Sequence, residues 1–558
     1  MARKHGIGPW ATAEEGSLLL AAMLWTTDRL RFFYVALGVD YPALRELLRV
    51  RVLLGMRTSV GNNTWGMVGI VLAVLMTWLT GMGTGMIAVM SKDASVWVVV
   101  SQSVLALMLA LLLFQHLAGV LVDPTDIGVV APHPVSDRTV FAVRLSEVFA
   151  YLLIFVASFT AGNLMIAVFA KPLLPVLFIY PLLSLLCGVT TLGAVTLLFA
   201  LCLRIVGPAY FQRVTLWVQI LGGALIFGGM QLRNFLPRVT WAPLLEKYAE
   251  LRYLWPPVQY AEIFAIASGS GTRFGIAIGI AAVLLPIAAL AATLWLASHY
   301  FVAGLQGTLG APIVRSGWQR GWIARLGEQF TRGEERAGFG FALALSRREP
   351  HFLRGVLPQL VMFQFMALGM GFGMREDKGM AMPISAGFLF MVLPNLLMLG
   401  QATATPDARQ LFSSTPLESE AAFLRGGVKA LLLQWIALPA IGVIALHLVV
   451  GGVTVLPGIV LALELSGVCI LFFTRRYDLA LPFTQPIRLG QSGAANFGLI
   501  LVSGLVLVLL VAVHMALSMN PIAMSGGILA AGLLLIVLWR QLDRLRPAPS
   551  KRLDPTRL

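Results

Sequence analysis

Residues 96–122 read VWVVVSQSVLALMLALLLFQHLAGVLV, a run that contains no Asp, Glu, Lys or Arg. A helix needs about 20 apolar residues to cross about 30 Å of hydrocarbon at about 1.5 Å per residue. The apolar side chains do not alternate with polar ones, as they do in the strands of a membrane barrel. Only helices and closed barrels satisfy their backbone hydrogen bonds inside lipid. The stretch therefore predicts a membrane-spanning helix.

Similar apolar runs recur on both sides of this one, separated by short charged segments. Read in the same way, they predict an all-α integral membrane protein with about twelve spans. The predicted spans lie near residues 65–90, 96–122, 148–170, 176–203, 214–232, 274–300, 356–373, 384–402, 428–450, 457–473, 497–517 and 522–539.

The composition excludes a soluble globular enzyme. Of the 558 residues, 58% are hydrophobic and 12% are charged, with a mean hydropathy of +0.84. Soluble domains have about 45–50% apolar and about 25% charged residues. The three cysteines all fall inside apolar runs, so neither a disulfide framework nor a paired-cysteine zinc site is predicted.

The positive charges are distributed unevenly between the two sides of the predicted membrane. Seven loops and tails on one side hold 32 of the 41 Lys and Arg residues. Cytoplasmic loops carry such an excess, so both termini are predicted to be cytoplasmic, with the chain in a bacterial inner membrane. The net charge of +15 then requires no nucleic-acid partner.

The chain also shows an internal repeat. Arg-rich stretches at 41–57 and 341–355 each precede six predicted spans, and the first has the pattern of an amphipathic interfacial helix. The loop after the second span contains Asp126, Pro134, Phe141 and Arg144. The loop after the eighth span contains Asp407, Pro416, Phe423 and Arg425 at nearly the same spacings. We therefore predict two tandem six-span halves in the same orientation.

This repeat defines the predicted domain organisation. A cytoplasmic segment, 1–64, precedes the first half, 65–300, and a cytoplasmic linker, 301–355, precedes the second half, 356–539. A basic tail, 540–558, follows. In the first half, the loop 233–273 is rich in Trp and Tyr, which is typical of the membrane interface. It is expected to form short helices on or in the outer surface, as a lid over an exit.

The sequence offers no nucleotide site of its own. The phosphate-binding pattern GxxxxGK[ST] is absent, and no Gly-Lys dipeptide occurs. If the protein uses ATP, another chain must hydrolyse it. The chain is therefore predicted to be a transport subunit and not an enzyme, with no metal site and no cofactor of its own.

Few polar residues fall inside the predicted spans, and these are the candidates for ion-coupled transport. Glu464 is the only acidic residue well inside an apolar run. An intramembrane carboxylate can carry protons or ions, or can simply bond to neighbouring helices. A secondary transporter that uses Glu464 is therefore an alternative function. The polar candidates are Glu464, Asn163, Asn395, His447 and His514.

A membrane-embedded enzyme acting on a lipid-linked substrate is a second alternative, and a membrane scaffold without a transport function is a third. The best candidate site for such an enzyme is the loop 123–147, with Asp123, Asp126, His133 and Asp137. The spacing His133 to Asp137 is one residue short of the acyltransferase pattern. The loop also lacks the further acidic residues that magnesium-dependent prenyl-diphosphate chemistry needs.

Taken together, these parts resemble the transmembrane subunit of ABC-2 type (type V) ABC exporters. The stretch DPTDIGVVAPHPVSDRTVFAVRLSE (123–147) looks like that family's proline-containing coupling helix after the second span, and LWPPVQYAEIF (254–264) is similar to its segment before the last span. The resemblance covers the first half well and the second half more loosely.

The resemblance implies that a separate ABC ATPase subunit, in two copies, docks on two coupling loops. That partner would supply ATP and magnesium chemistry. The docking positions would be Asp123, Asp126, Pro134 and Arg144 in the first half and Asp407, Pro416 and Arg425 in the second. The leading hypothesis is therefore the permease subunit of an ATP-driven exporter with an unknown substrate.

Overall fold

The structure is a computed structural model. It describes residues 18–29, 31–36, 38–60, 64–91, 93–121, 135–206, 214, 216–224, 253–269, 273–309, 322–373, 378–403, 417–476, 479–486 and 494–542. Across these ranges the chain is almost entirely helical, and the strands are limited to one two-stranded pair.

The chain divides into two compact units. The first comprises residues 1–215, 240–312 and 489–497, and the second comprises 216–239, 313–488 and 498–558. The helical residues 216–224 in the predicted fifth span therefore belong to the second unit, although they precede the last helix of the first half. The division between the units thus departs from sequence order at this span.

In the first unit, two short helices and a longer one precede the apolar helices. A π-helical turn, Pro175–Ile179, leads directly into the seventh helix. The helices are α1 Leu18–Arg29, α2 Arg31–Ala36, α3 Tyr41–Val60, α4 Thr64–Met90, α5 Ala94–Leu121, α6 Asp137–Ala167, α7 Tyr180–Val206, α8 Pro256–Ala267 and α9 Arg273–Leu309.

In the second unit, a π-helical turn, Leu433–Ala437, joins two helices into one continuous rod, and β1 Ala402–Thr403 pairs in parallel with β2 Gln485–Pro486. The helices are α10 Trp322–Phe330, α11 Gly333–Ser346, α12 Pro350–Gly373, α13 Lys378–Leu399, α14 Glu420–Leu432, α15 Leu438–Gly451, α16 Leu456–Arg476, α17 Ala494–Ser518 and α18 Pro521–Gln541. The first four residues of α17 are assigned to the first unit.

Seven helical segments in the described ranges are long and apolar enough to cross a membrane. Four shorter apolar segments lie within α4, α12, α13 and α17. The chain is therefore an all-α integral membrane protein. The seven long segments are Ala94–Leu113, Arg138–Ala167, Pro175–Cys202, Gly275–Thr293, Glu420–Val449, Val453–Arg475 and Pro521–Gln541.

The helices α4 and α6 form the most extensive helix pair in the first unit, and glycines let their backbones come close together. A Cβ on Gly81 would lie 2.2 Å from the carbonyl oxygen of Phe159, and one on Gly162 would lie 2.1 Å from that of Trp78. Lipid gives no hydrophobic drive between helices, so small residues that bring backbones together stabilise membrane bundles. The Gly81-x3-Gly85 spacing on α4 serves this purpose.

The helix α8 lies deeper than expected for a surface loop. Its Tyr260 and Phe264 have no exposed surface, and the Tyr260 hydroxyl lies 2.6 Å from Thr190 Oγ1. Thr190 is in the middle of the candidate span Pro175–Cys202. The indole of Trp255 donates to Ser103 Oγ at 2.8 Å, and Ser103 is also mid-span. This part of the predicted outer loop 233–273 is therefore a helix inserted among the spans.

Several helices begin before the predicted spans that they contain. The helices α6 and α14 start at Asp137 and Glu420, whereas the predicted spans start at 148 and 428. The helices α12 and α13 start at Pro350 and Lys378, whereas the predicted spans start at 356 and 384. The Arg-rich stretch 341–355 falls in two helices, because α11 ends at Ser346 and α12 begins at Pro350. Of the predicted span 214–232, residues 215 and 225–232 lie outside the described residues.

Candidate docking sites

The structure describes some of the predicted docking residues and not others. Arg144 lies in α6 and Arg425 in α14. Outside the described residues are Asp123, Asp126, Pro134, Asp407 and Pro416. What the structure does show is the helix that follows each candidate loop and the contacts that hold it.

Both of these helices are longer than a membrane requires. The helix α6 has 31 residues, which corresponds to about 46 Å at about 1.5 Å per residue, whereas the hydrocarbon layer is about 30 Å thick. Its charged residues all lie between Asp137 and Glu147, and the following 20 positions to Ala167 carry no charge. The first 11 residues, about 16 Å of helix, therefore carry all the charge, and the 20 that follow are enough to cross the apolar layer.

The rod formed by α14, the π-turn and α15 repeats this arrangement. It runs from Glu420 to Gly451, and its charged residues, Glu420, Arg425 and Lys429, lie in its first ten positions. We call residues 137–147 and 420–429 the two stalks. Each stalk joins a candidate docking loop to a membrane span as one continuous helix.

A serine caps the start of each stalk. The Ser136 hydroxyl accepts a hydrogen bond from the backbone N–H of Thr139, and the Ser419 hydroxyl accepts one from that of Ala422. Such caps satisfy backbone donors that a helix leaves unpaired in its first turn. An acidic residue, Asp137 or Glu420, follows each serine, at the end where the helix dipole favours negative charge.

In the first unit, α2 and α3 hold the stalk from its side. The Asp40 backbone N–H donates to Thr139 Oγ1 at 3.1 Å, and the Tyr34 hydroxyl lies 2.8 Å from Ser146 Oγ. Leu44 and Leu48 of α3 have no exposed surface. They belong to a buried cluster with Tyr34, Val39, Tyr41, Ala142 and Val143. The apolar face of α3 is thus packed on protein, while Arg45 and Arg49 on its other face remain partly exposed.

A tyrosine links α1 to the start of α3. The Tyr41 hydroxyl donates to the Asp28 carboxylate, which also accepts a 3.2 Å bond from Arg45 Nε. Burial and the bond to the Asp28 carboxylate raise the pKa of Tyr41 to about 12. The phenol therefore stays protonated, and this contact persists, throughout the physiological pH range.

The stalk arginines differ in exposure. Arg144 is 1% exposed and belongs to the interior of the first unit. Arg425 is half-buried on the first turns of α14. A buried guanidinium carries a large desolvation cost unless neighbouring groups satisfy it, so Arg144 is placed to hold the stalk and not to present its charge to solvent.

In the second unit, α11 crosses the stalk at backbone contact. A Cβ on Gly338 would lie 2.0 Å from the Phe423 carbonyl oxygen, and one on Gly426 would lie 1.8 Å from the Glu335 carbonyl oxygen. No side chain larger than hydrogen fits at either position without moving a helix. The rings of Phe341 and Phe423 pack beside the crossing, with centroids 5.5 Å apart.

Two adjacent glutamates of α11 bind this part of the chain. Glu334 binds the two residues just before the stalk, and Glu335 binds Lys429 near its end. Each Glu334 carboxylate oxygen accepts a backbone N–H bond at 2.5 Å, one from Glu418 and one from Ser419. The Glu335 carboxylate lies 2.5 Å from Lys429 Nζ, and these side chains are only 16% and 9% exposed. Lys429 also lies 5.6 Å from the ring centroid of Trp539 in α18, so it connects three helices.

These residues do not stand out in the sequence. Glu334 and Glu335 lie in the linker, and Lys429 lies at the predicted boundary of the ninth span, where each reads as an ordinary cytoplasmic charge. The usable signal is a pair of glycines near charges of opposite sign. Gly338 follows Glu334 and Glu335, and Gly426 precedes Lys429. A single sequence does not show that these positions meet.

Of the intramembrane polar candidates, Asn163 is a packing residue. It is fully buried, its amide donates to Thr84 Oγ1 at 2.9 Å, and its carbonyl accepts the Trp97 indole N–H at 3.1 Å. It therefore joins α4, α5 and α6. Such interhelical bonds stabilise membrane bundles.

The other candidates are in the second unit, and each has different neighbours. His447 Nε2 lies 2.6 Å from Ser385 Oγ, which joins α15 to α13. His514 is 1% exposed in α17. Glu464 of α16 packs against α18, since a Cβ on Gly532 would lie 3.1 Å from its Oε1. The side chain of Asn395 lies outside the described side chains.

No group of three or more His, Cys, Asp or Glu side chains with metal-binding geometry occurs in the described part of the chain. Comparison with known proteins adds no relative: the chain matches no protein-family model, no curated protein and no solved structure. The fold defines the class as a polytopic all-α integral membrane protein. The stalks and their contacts therefore provide the structural basis for a functional interpretation.

Proposed function

We propose that the chain is the transmembrane permease subunit of an ATP-driven exporter that works with a separate ABC ATPase subunit. In this proposal its twelve spans form two tandem six-span halves, both termini are cytoplasmic, and the membrane is the bacterial inner membrane. Two ATPase copies bind the two loops, hydrolyse ATP with magnesium, and leave the permease itself without enzymatic activity.

The observation that supports the proposal most directly is the pair of stalks. In each unit, the helix that follows a candidate docking loop begins with a charged stretch of about 15 Å and continues without a break into an uncharged, apolar stretch. In each unit, a helix from before the first span packs along the stalk. A docked ATPase would therefore act on a rigid helix, and its movement would reach the membrane without passing through a flexible joint.

The residues then have separate roles. Asp123, Asp126 and Pro134 in one loop, and Asp407 and Pro416 in the other, are the proposed contacts with the ATPase. Arg425, half-buried at the base of the second stalk, borders its loop. Arg144 is buried, so we assign it to holding the first stalk.

Co-expression with an ABC ATPase subunit tests the proposal. We expect the two proteins to purify together and the permease to stimulate ATP hydrolysis. Charge reversal by Asp126→Arg together with Asp407→Arg should remove both effects, while reversal at the exposed Glu46 of α3 should leave them unchanged. Equal ATPase binding by the wild type and the double variant would refute the docking assignment.

An ion-coupled carrier is supported by one observation. Glu464 Oε2 is buried and has no hydrogen-bond partner among the described residues, which is costly unless the group is protonated or binds a cation. Under the ATPase proposal, Glu464→Gln keeps transport in ATP-loaded vesicles. Loss of transport in Glu464→Gln, together with loss on adding a protonophore, would favour the carrier.

A further inference from the structure

A groove in the second unit has the composition of a lipid site. It has a volume of about 390 Å³, within the roughly 300–1,000 Å³ usual for ligand pockets. Its walls come from α12 and from the π-turn with the start of α15. They are apolar apart from two glutamine amides and one indole, and comprise Leu357, Leu360, Val361, Gln364, Phe365, Gln434, Trp435, Leu438 and Pro439.

The groove lies along an apolar part of α12 and ends near a charged residue. Its α12 wall lies within the apolar segment Gly355–Met366 and extends over eight helical steps, or about 12 Å, from Leu357 to Phe365. At one end, Gln434 Oε1 accepts a 3.2 Å bond from Arg347 Nε, and Arg347 is exposed at the end of α11. A cationic group therefore lies at one end of the apolar groove.

The backbone beside the groove is irregular for a definable reason. Pro439 has no N–H, so it removes the helical hydrogen bond to the Trp435 carbonyl, and the preceding residues form the π-turn Leu433–Ala437. Single π-turns often occur at functional sites. Pro358 removes a second helical bond on the opposite wall.

Trp435 also has an unsatisfied donor. The residue is 92% buried, its ring packs against Phe352 with centroids 5.6 Å apart, and its indole Nε1 has no hydrogen-bond partner in the described part of the protein. A buried N–H without an acceptor costs about 1–3 kcal/mol. The Trp435 ring is a buried part of the groove wall, close enough to report on an acyl chain that lies in the groove.

We propose that this groove binds an anionic phospholipid of the surrounding bilayer, with an acyl chain along Leu357–Phe365 and the phosphate at Arg347. Arginine suits phosphate because its planar donors bind two oxygens together. The groove alone supports this assignment, which does not depend on ATP-driven export.

Fluorescence quenching tests the site. The protein would be placed in phosphatidylcholine nanodiscs that contain increasing fractions of phosphatidylglycerol or phosphatidylcholine with brominated acyl chains. The Trp435 signal is the difference between the wild type and Trp435→Phe, since the chain has 13 tryptophans. We expect half-quenching at a phosphatidylglycerol fraction about fivefold below that of phosphatidylcholine, as one cation near an anionic lipid predicts.

Two variants and a matched control make the result decisive. Arg347→Gln should remove the fivefold preference and keep quenching at high lipid fraction. Val361→Phe should fill the groove and reduce Trp435 quenching by both lipids, whereas Leu533→Phe on the exposed face of α18 should not. Equal half-quenching by the two lipids in the wild type, or unchanged quenching in Val361→Phe with normal size-exclusion elution, would overturn the proposal.

Discussion

Single residues at the α11–α14 crossing determine how closely the second stalk can be held. At Gly426 an added Cβ would lie 1.8 Å from a backbone carbonyl oxygen, which has no freedom to move aside. A larger side chain at Gly426 would therefore push the two helices apart, because no flexible side chain can move to make room.

We expect Gly426→Ala to destabilise the protein by about 1–3 kcal/mol, the usual cost of overpacking. Gly526→Ala is the matched control, because a Cβ there meets nothing within 4 Å and alanine favours a helix. Thermal unfolding in detergent measures both. Similar unfolding temperatures for the two variants would mean that the helices do not cross at Gly426.

The Glu335–Lys429 pair should show the behaviour of a buried ion pair. Removing one partner by Lys429→Ala leaves a buried carboxylate without its cation, for which we expect a loss of about 3–5 kcal/mol. The exposed pair Arg45–Asp28 is the comparison, with an expected loss of about 0–1 kcal/mol for Arg45→Ala.

A double variant separates the ion pair from simple packing. Glu335→Gln combined with Lys429→Met removes both charges, so it should recover part of the stability that Lys429→Ala loses. A double variant that is less stable than Lys429→Ala would contradict a charge-based explanation. Chemical denaturation of the purified protein gives the comparison.

At the scale of helices, Asn163 tests whether the polar residues in the first unit hold the bundle together. Asn163→Leu removes two side-chain bonds that join α4, α5 and α6. Interhelical bonds in membranes are worth about 0.6 kcal/mol on average, so we expect a loss of about 1–2 kcal/mol with transport retained. Complete loss of transport at unchanged stability would instead assign Asn163 to the transport path.

The depth of α8 can be measured by thiol labelling. A cysteine in place of Tyr260, which has no exposed surface, should react with a membrane-impermeant maleimide far more slowly than one in place of Met519, which is 85% exposed in the turn between α17 and α18. Equal labelling rates would place the segment on the surface, as the sequence alone suggests.

Much of the helix pattern can be predicted from the sequence because a span needs about 20 apolar residues and charged residues interrupt the runs. The same rule predicts the apolar parts of α6 and α14 but not the charged turns that precede them in the same helices. Arg144 and Lys429 read as loop charges, yet both lie inside helices and are buried against neighbours distant in sequence. Burial by a helix that is distant in the sequence, such as the contact of Gly338 with Phe423, produces no periodic pattern in the nearby residues.

For the whole molecule, the central claim is that two loops on this chain bind two ATPase copies and transmit their movement through the stalks. The sequence predicts that the docking loop occurs twice. The described helices show that the chain after each loop continues as one helix into an apolar segment. Each unit has a capped, laterally held helix that starts at its loop. A chain with one functional loop would bind a single ATPase copy.

The number of ATPase subunits bound per permease chain tests this claim most directly. Native mass spectrometry of the co-purified complex should show two copies for the wild type, one for either Asp126→Arg or Asp407→Arg, and none for the double variant. Two copies on the double variant, or no ATPase on the wild type when every ABC ATPase of the source cell is offered, would contradict the account.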